Sequence, residues 1–455
     1  MILDDTIAAV ATAPGHGAVA LLRVSGRAAL EVVGQLVRPW PLEPRRATLC
    51  AVHDPRSGAL LDRALVTVFA GPSSYTGEDV VELATHGGAV VPASVMAALE
   101  AAGARGARAG EFTRRAVLNG RMDLVQAEAV GDLVDARSGA MQRSALEQMD
   151  GGLSRRVGAL REQLLEVEAL LAYDIDFPEE DDGPIPRQRI ADAAASVVSQ
   201  LEALIATVPS GALIRDGAVV VIAGPPNAGK SSLLNALLGE NRAIVTDIPG
   251  TTRDAIEVMV DSRPWPLRLV DTAGMHAATD IVERLGIEVS ERWVSSAQVV
   301  LACGEGLDEV QATMTRLRAL TSAPLIGVRT KIDLLSASAS TATTILDDTP
   351  VIGVSAETGA GLPELMETIQ RTLTARHVAP TSELPVVTRA RHRRALESAH
   401  EEATAFLDAW VDDLLPAPVA AVHVRAALGA LEELVGGLDV EEVLDRVFAS
   451  FCVGK

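Results

Sequence analysis

Lysine is almost missing from this chain. Of the 40 basic residues among its 455, only Lys230, Lys331 and Lys455 are lysine, and the others are arginine. Where arginine serves every generic need for positive charge, a lysine marks a place that takes a compact ammonium with three donors and not a wide planar fork. All three fall inside motifs described below. Cysteine is as scarce: Cys50, Cys303 and Cys452 are scattered, which excludes a disulfide framework and a CxxC metal site. Aromatic residues make up 3% of the chain and offer few platforms for stacking unpaired bases. Positive charge is also short, with 40 basic against 61 acidic side chains and a net charge of −21. Nucleic-acid work therefore needs a local basic patch or a partner's surface. No uninterrupted apolar run approaches the roughly 18 residues of a membrane span. The acidic start, Met1-Ile-Leu-Asp-Asp-Thr6, lacks the basic n-region of a signal peptide. A soluble protein of the reducing cytoplasm, with no membrane role, is the expectation.

What is present is ordinary globular material, 48% hydrophobic and 22% charged. At about 100–200 residues per domain, the length predicts two to four domains. Short apolar runs with Gly/Pro punctuation fill residues 1–120, as in Ala18–Val24, Ala64–Phe69 and Asp79–Leu83, with a helical stretch near Pro92–Ala102. They predict a small α+β domain. From about Leu124 apolar residues recur at helical spacing, as in Leu153, Val157, Leu160, Leu164, Val167 and Leu170, broken by the acidic loop Pro178–Pro184. That loop is read as solvated and takes no ligand. From Ala218 buried strands alternate with helices, at Ala218–Ala223, Leu267–Val270, Val299–Cys303, Pro324–Val328 and Val351–Val354. This is the βα alternation of a doubly wound sheet. Helical periodicity returns after about Ala375. The economical architecture is an N-terminal α+β domain (1–120) and a discontinuous helical domain (121–215 and 377–455) interrupted by an inserted α/β domain (216–376).

Gly224-Pro-Pro-Asn-Ala-Gly-Lys-Ser231 fits G-x-x-x-x-G-K-[ST], follows a predicted strand and opens a predicted helix. Such glycines let successive backbone N–H groups converge on phosphate oxygens. Lys230 then reaches the β- and γ-phosphates and the Ser231 hydroxyl holds Mg²⁺. Asp271-Thr-Ala-Gly274 ends a strand, placing a carboxylate near the Mg²⁺ and the Gly274 N–H near the γ-phosphate. Thr330-Lys-Ile-Asp333 resembles the [NT]-K-x-D base-reading element of GTPases, with Thr330 in place of the commoner Asn, and Asp333 positioned to accept from guanine. Ser355-Ala356 resembles the loop that contacts the guanine O6. Met275 stands where Ras-like proteins carry the glutamine that orients water, so hydrolysis needs another device. The loop Thr246-Asp-Ile-Pro-Gly-Thr-Thr252 offers hydroxyls and carbonyls, and Thr252 is the natural second protein ligand for Mg²⁺. Asn227, with this loop, resembles the potassium-dependent GTPases.

Further stretches carry a resemblance across the whole chain: Asp5-Thr-Ile-Ala-Ala-Val-Ala-Thr-Ala-Pro-Gly15, Tyr75-Thr-Gly-Glu-Asp-Val-Val-Glu-Leu83, Gly110-Glu-Phe-Thr-Arg-Arg-Ala116, Asp123-Leu-Val-Gln-Ala-Glu-Ala129 and Phe451-Cys-Val-Gly-Lys455. With the GTPase motifs, they resemble the tRNA modification GTPase MnmE (TrmE) family, whose inserted domain is a Ras-like P-loop GTPase domain. The resemblance implies that GTP is bound by Gly224, by Asn227, Ala228, Gly229, Lys230, Ser231 and Ser232, by Thr246, Asp247, Ile248, Pro249, Gly250, Thr251 and Thr252, by Asp271, Thr272, Ala273 and Gly274, and by Thr330, Lys331, Asp333, Ser355 and Ala356. It implies K⁺ on Asn227, Thr246, Ile248 and Thr251, Mg²⁺ on Ser231 and Thr252, and catalysis by Glu283, Thr252 and Lys230, with Glu283 positioning the hydrolytic water. It further implies 5-formyl-tetrahydrofolate, or a related one-carbon folate, on Arg23, Glu82, Arg121 and Lys455. For Arg23, Glu82 and Arg121 the residues alone favour plain surface ion pairing.

The family forms a homodimer through its N-terminal domain. It works with an FAD-dependent partner of the MnmG/GidA family, in a heterotetramer or larger complex, on C5 of the wobble uridine of certain tRNAs. Arg121 departs from a frequent Lys, Val453 from Ile, His16 from Arg and Met275 from Leu. The rival expectation is a regulatory GTPase of ribosome assembly, which the lack of a basic RNA-binding segment disfavours. Phe448 and Phe451, with Val447, give the end of the chain an apolar face that should dock it. Cys452 has two readings, a thiol that assists one-carbon chemistry or a small apolar residue packing the last turn.

Overall fold

The computed structural model describes residues 5–176, 186–240, 256–271, 292–335, 343–377, 385–436, 448, 451 and 454. The chain divides into two compact units, residues 1–131 with 432–455 and residues 132–431.

The first unit is built on a seven-stranded sheet of β1 (Ile7–Val10), β2 (Val19–Ser25), β3 (Val37–Arg38), β4 (Thr48–His53), β5 (Leu60–Phe69), β6 (Val80–His86) and β7 (Arg105–Gly106), in the order β3-β4-β5-β6-β2-β1-β7. Neighbours are antiparallel except β1 and β7. Period-two alternation sends Leu22, Val24, Val52, Ala64, Val66 and Leu83 to one face, against Val32, Val33 and Leu36 of α1 (Ala29–Leu36) and Val95 and Leu99 of α2 (Val90–Ala101). On β4 and β5, Leu49 and Leu65 face each other across the strands and are exposed. Helices α3 (Glu111–Leu118) and α4 (Leu124–Val134) follow. Leu124 and Ala127 form a small core with Phe448, and Phe451 packs against it. The expected docking of the chain's end is therefore present for these two rings, which meet edge to face at 5.1 Å.

The second unit holds the helices α5 (Gly139–Met149), α6 (Gly152–Asp176), α7 (Arg187–Ile205) and α8 (Val208–Asp216), then an α/β sheet, then two more helices. Five strands of this sheet are parallel, β8 (Ala218–Ala223), β10 (Leu267–Asp271), β11 (Val299–Gly304), β12 (Leu325–Arg329) and β14 (Thr349–Gly353). Antiparallel strands β9 (Ile256–Val260) and β13 (Thr344–Leu346) close its edges, in the order β13-β14-β12-β11-β8-β10-β9. Neither edge strand is among those expected from the apolar runs. The central strand β8 is buried at every residue, as a strand covered on both faces must be. Val220, Ile222, Leu269 and Leu301 point to one core, and Val219, Val221, Val300 and Ala302 to the other. Among the described residues the sheet's helices include α9 (Lys230–Glu240), α10 (Leu307–Arg318) and α11 (Leu362–Thr374), and α12 (Ala390–Val411) and α13 (Ala417–Val435) follow.

The architecture is thus an N-terminal α+β domain, a discontinuous helical domain and an inserted α/β domain. The stretch Arg187–Asp216 reaches a mean hydropathy of 1.5, enough on composition to cross a membrane. Its residues Ile190, Val197, Leu201 and Leu204 are fully buried, and α7 packs against α6 and α12. On α6 the periodic stripe is buried as expected, except that Leu171 takes the place expected for Leu170.

Candidate functional sites

Strand β8 runs straight into the glycine-rich loop. At Gly224 an added Cβ would lie 2.6 Å from the Cys303 carbonyl oxygen, so glycine is what lets the loop cross β11 this closely. Asn227 (φ 64°) and Gly229 (φ 77°) are both left-handed, and these two steps turn the chain so that α9 begins at Lys230. Glycine takes such a conformation freely, and asparagine is among the few other residues that visit it. The Lys230 ammonium is buried and donates to the Gly224 and Pro225 carbonyls at 2.9 and 2.8 Å. Ala228 is buried, and Ser231 and Ser232 are exposed at the start of the helix.

The Ser231 hydroxyl donates to Oδ2 of Asp271 at 2.7 Å. Asp271 is fully buried at the end of β10, in register with Ile222 near the end of β8. Adjacent parallel strands thus bring a hydroxyl and a carboxylate together at their C-terminal ends, where open α/β sheets bind ligands. Two hard oxygens in contact suit Mg²⁺. Beneath the loop, burial pushes the Cys303 thiol up to about 12, with Lys230 opposing and Asp271 adding to the shift. That thiol is a packing group and not a nucleophile.

The residues expected to read the base, Thr330–Asp333 and Ser355-Ala356, lie on the loops after β12 and β14, which are neighbouring strands. Thr330 is 4% exposed. Its hydroxyl donates to the Ala228 carbonyl at 2.9 Å and lies 3.3 Å from that of Gly304. The Thr330 side chain therefore ties the loop after β12 to the glycine-rich loop after β8. Lys331, left-handed at φ 56°, donates to the Asn227 carbonyl at 3.0 Å and pairs with Glu305. Asp333 is exposed on the short turn Ile332–Leu334. Ser355 is buried, donates through its N–H to the Ala360 carbonyl at 2.9 Å and accepts from the Thr358 N–H, with Ala356 half-buried beside it.

The remaining candidates fall outside the described residues: Thr246, Asp247, Ile248, Pro249, Gly250, Thr251 and Thr252, Thr272, Ala273 and Gly274, Met275, Glu283, Val447, Cys452 and Lys455, and the acidic loop 178–184.

A second constellation lies in the first unit. Arg23 and Glu82 face each other across β2 and β6, and Glu82 Oε1 accepts from Nε and Nη2 of Arg23 at 3.0 and 2.8 Å. The Arg23 guanidinium carbon stands 5.2 Å from the Tyr75 ring centre and 5.7 Å from that of Phe112. Burial raises the Tyr75 phenol above its ordinary range, although its bond to Thr113 and the charge of Arg23 oppose this. Tyr75 and Phe112 are residues to which sequence reasoning assigned no role, though both sit inside the N-terminal motifs. Arg121 is exposed, and its side-chain stem lies against Gly77.

Below this surface Arg115 is completely buried, with Nη2 at 2.5 Å from Asp5 Oδ1 and at 3.3 Å from Glu111 Oε1, and Nη1 at 3.2 Å from Glu78. Arg105 joins the network through Glu111 at 2.6 Å. The chain's end is seated nearby: Phe448 lies against Gly110 and Phe451 against Gly131, and at Gly454 an added Cβ would lie 2.8 Å from the Val10 carbonyl oxygen. Val10 is on β1, directly beside the strand that carries Arg23.

A family model described as the MnmE helical domain matches residues 124–452, and one described as the GTP-binding protein TrmE N-terminus matches residues 6–121. The tRNA modification GTPase MnmE of Moorella thermoacetica is 39% identical over 465 residues, covering 100% of both chains. The protein of the same name from Methylobacterium radiotolerans is 42% identical over 457 residues, covering 99% of both. That of Heliobacterium modesticaldum is 39% identical over 469 residues, covering 100% of both. Among solved structures, the G domain of the T. maritima FeoB iron transporter aligns with 34% of this chain and 98% of its own at 25% identity, with a TM-score of 0.27, which carries no argument about the fold.

Proposed function

From the premise that the chain belongs to the tRNA modification GTPase MnmE family, we propose that it hydrolyses GTP to GDP and phosphate in the modification of tRNA. The observation that carries this reading is the convergence of the Gly224–Ser231 loop, Asp271 and the Thr330–Asp333 element at the C-terminal ends of β8, β10 and β12, three parallel strands of one sheet. The loop's N–H groups bind phosphate oxygens. Lys230 moves its donors from the loop carbonyls to the β- and γ-phosphates, and Asp333 accepts from the guanine N1–H and amine. Ser231 and Thr252 hold Mg²⁺, with Asp271 hydrogen-bonded to Ser231.

Asn227, Thr246, Ile248 and Thr251 hold K⁺, whose charge supplies the stabilisation of the γ-phosphate that an arginine provides elsewhere. The exposed, left-handed Asn227 offers an amide oxygen at the loop's mouth, a donor of the kind this cation takes. Glu283 positions the attacking water.

The wider cycle belongs to the same proposal. GTP hydrolysis drives a conformational change, and with an FAD-dependent partner of the MnmG/GidA family the protein adds an aminomethyl or carboxymethylaminomethyl group to C5 of uridine 34. Arg23, Glu82, Arg121 and Lys455 hold a formyl-tetrahydrofolate, with the half-buried Tyr75 ring as an aromatic wall for a flat ligand and the fully buried Phe112 behind Arg23. Exposure of the cross-strand pair Leu49 and Leu65 supports a homodimer through the N-terminal domain. The four-part division at residues 120, 215 and 376 and a cytoplasmic location are part of this reading.

Turnover in matched KCl and NaCl tests the cation: a rate several-fold faster in K⁺ and lost in Asn227→Ala is expected, and equal rates overturn K⁺ dependence. Mass spectrometry of wobble nucleosides from a deletion strain tests the tRNA role. Unmodified uridine 34 is expected, and an unchanged nucleoside profile removes it.

A further inference from the structure

The hairpin of β9 and β10 leads away from the nucleotide side of the sheet. Strand β10 ends on Asp271, which is bonded to Ser231, and β9 pairs with it from Ile256 to Val260. The turn that joins them, residues 261–266, is bolted down. Gln370 of α11 accepts from the Trp265 N–H at 3.1 Å and donates to the Trp265 carbonyl at 2.8 Å and to the Ser262 hydroxyl at 2.9 Å. The Trp265 indole, fully buried, donates to Thr374 at 3.1 Å, and the Ala218 N–H donates to the Pro266 carbonyl at 2.8 Å. A hairpin held this way moves as a body or not at all.

A further bond from this turn leaves the sheet. Asp261 Oδ1 accepts from the N–H of Gly139, the first residue of α5, at 2.9 Å. Ser138 caps the same end by accepting from the Met141 N–H at 3.1 Å, and Ala140 is buried in the same core as Val260 and Trp265. A carboxylate at a helix N-terminus complements the macrodipole, so the inserted domain stabilises the start of a helix that belongs to the preceding segment. At the other end of α5, Gln148 donates to the Val386 carbonyl at 3.2 Å and lies 3.3 Å from the Thr388 hydroxyl. That is where the chain returns from the sheet, and it is pinned there by Thr207, Arg215 and the Arg389–Asp132 pair. Helix α5 therefore spans from the hairpin turn to the returning chain.

We propose that Asp261 is a positioning residue that carries the nucleotide state of the hairpin into α5, and through Gln148 into the segment that re-enters the helical domain. This rests on the GTP-driven cycle proposed above. Asp261 touches no nucleotide, so hydrolysis itself does not depend on it.

The test compares deuterium uptake over residues 139–149 of the full-length protein bound to GDP and to a non-hydrolysable GTP analogue. A nucleotide-dependent difference is expected in the wild type and in Asp261→Asn, which keeps an accepting oxygen. It is expected to be lost in Asp261→Ala and in Gly139→Pro, which deletes the donor at a helix position that tolerates proline. In all variants kcat for GTP stays within about twofold of wild type, and uptake over β8 is unchanged, which separates loss of coupling from loss of folding. A full response in Asp261→Ala and Gly139→Pro overturns the proposal. So does the absence of any response in a wild-type protein that hydrolyses GTP, whereas failure of hydrolysis itself sinks the GTPase reading instead.

Discussion

Replacing Thr330 by valine keeps the outline of the side chain and deletes its hydroxyl, which makes it a clean probe of the link between the base loop and the phosphate loop. In the structure that hydroxyl donates to the Ala228 carbonyl at 2.9 Å, between residues that are 4% and 2% exposed. Leaving a buried acceptor without its donor costs about 1–3 kcal/mol. The neighbouring bond from Lys331 to the Asn227 carbonyl, at 3.0 Å, survives the change and holds the loops in part, which places the effect toward the lower end. At about 1.4 kcal/mol per tenfold, the dissociation constant for GDP should rise by roughly tenfold. Lys230, Ser231 and Asp271 are untouched, so kcat at saturating GTP should stay within about twofold. Titration with a fluorescent GDP analogue and steady-state hydrolysis measure the two quantities. Thr330→Ser, which keeps the hydroxyl, should bind nearly as wild type. Wild-type affinity in Thr330→Val, or an equal loss in the serine variant, would refute the assignment of the link to the hydroxyl.

Three other outcomes are expected. Asp333→Asn should exchange guanine for xanthine preference, because an amide donates to the xanthine 2-oxo group; competition between GTP and XTP measures this, and unchanged GTP selectivity would mean that the exposed turn at Ile332–Leu334 does not read the base. In the Arg115 network burial raises Asp5 and Glu111, but it is outweighed at Asp5 by bonds from Arg105 and Arg115 and at Glu111 by bonds from Arg105 and the Arg108 N–H together with the charges of Arg105 and Arg115, so both carboxyls lie below their ordinary 3.8 and 4.5. A carboxylate whose folded pKa is depressed contributes stability that is whole above the ordinary value and lost as pH falls through the lowered one. Melts of the N-terminal unit should therefore show no loss from this network between pH 7 and about pH 5 and a loss below about pH 4. Arg115→Met should cost about 3–5 kcal/mol at neutral pH and flatten the acid limb; an unchanged limb would assign it to other groups. Gly110→Ala meets both a left-handed φ of 64° and a Cβ contact of 2.8 Å with the Phe448 ring. It should free the chain's end to carboxypeptidase while leaving GTPase rates unchanged, and a tail still resistant to digestion would show that the Phe448 seat is not what holds it.

Much of the nucleotide site is legible in one dimension because its parts are local. A buried β-branched run, Ala218–Ala223, followed by glycines at the two ends of a six-residue step and then by Lys230 and Ser231, specifies strand, turn and helix through backbone sterics alone. The strands at Leu267, Val299, Pro324 and Val351 are legible for the same reason, since a strand covered on both faces reads as a continuous apolar run. The edge strands β9 and β13 escape that reading, because their pairing is antiparallel and their faces are only partly covered.

Tertiary structure alone decided which charges pair and which hydroxyl links two loops. Arg115 meets Asp5 across 110 positions of sequence, Thr330 reaches Ala228 across 102, and Gln370 holds Ser262 across 108. No local pattern encodes such partners, because each is set by where whole strands and helices come to rest. For Arg23 and Glu82 the residues alone favoured a surface ion pair, and only the family resemblance implied a ligand site. Only the fold sets the rings of Tyr75 and Phe112 beside Arg23 and brings Gly454 to the strand next to it. Composition and local motif determined the kind of phosphate chemistry, since backbone turns and strand burial are short-range. The long-range packing of those elements determined which side chains surround it, since burial forces every charge brought inside to find a partner there.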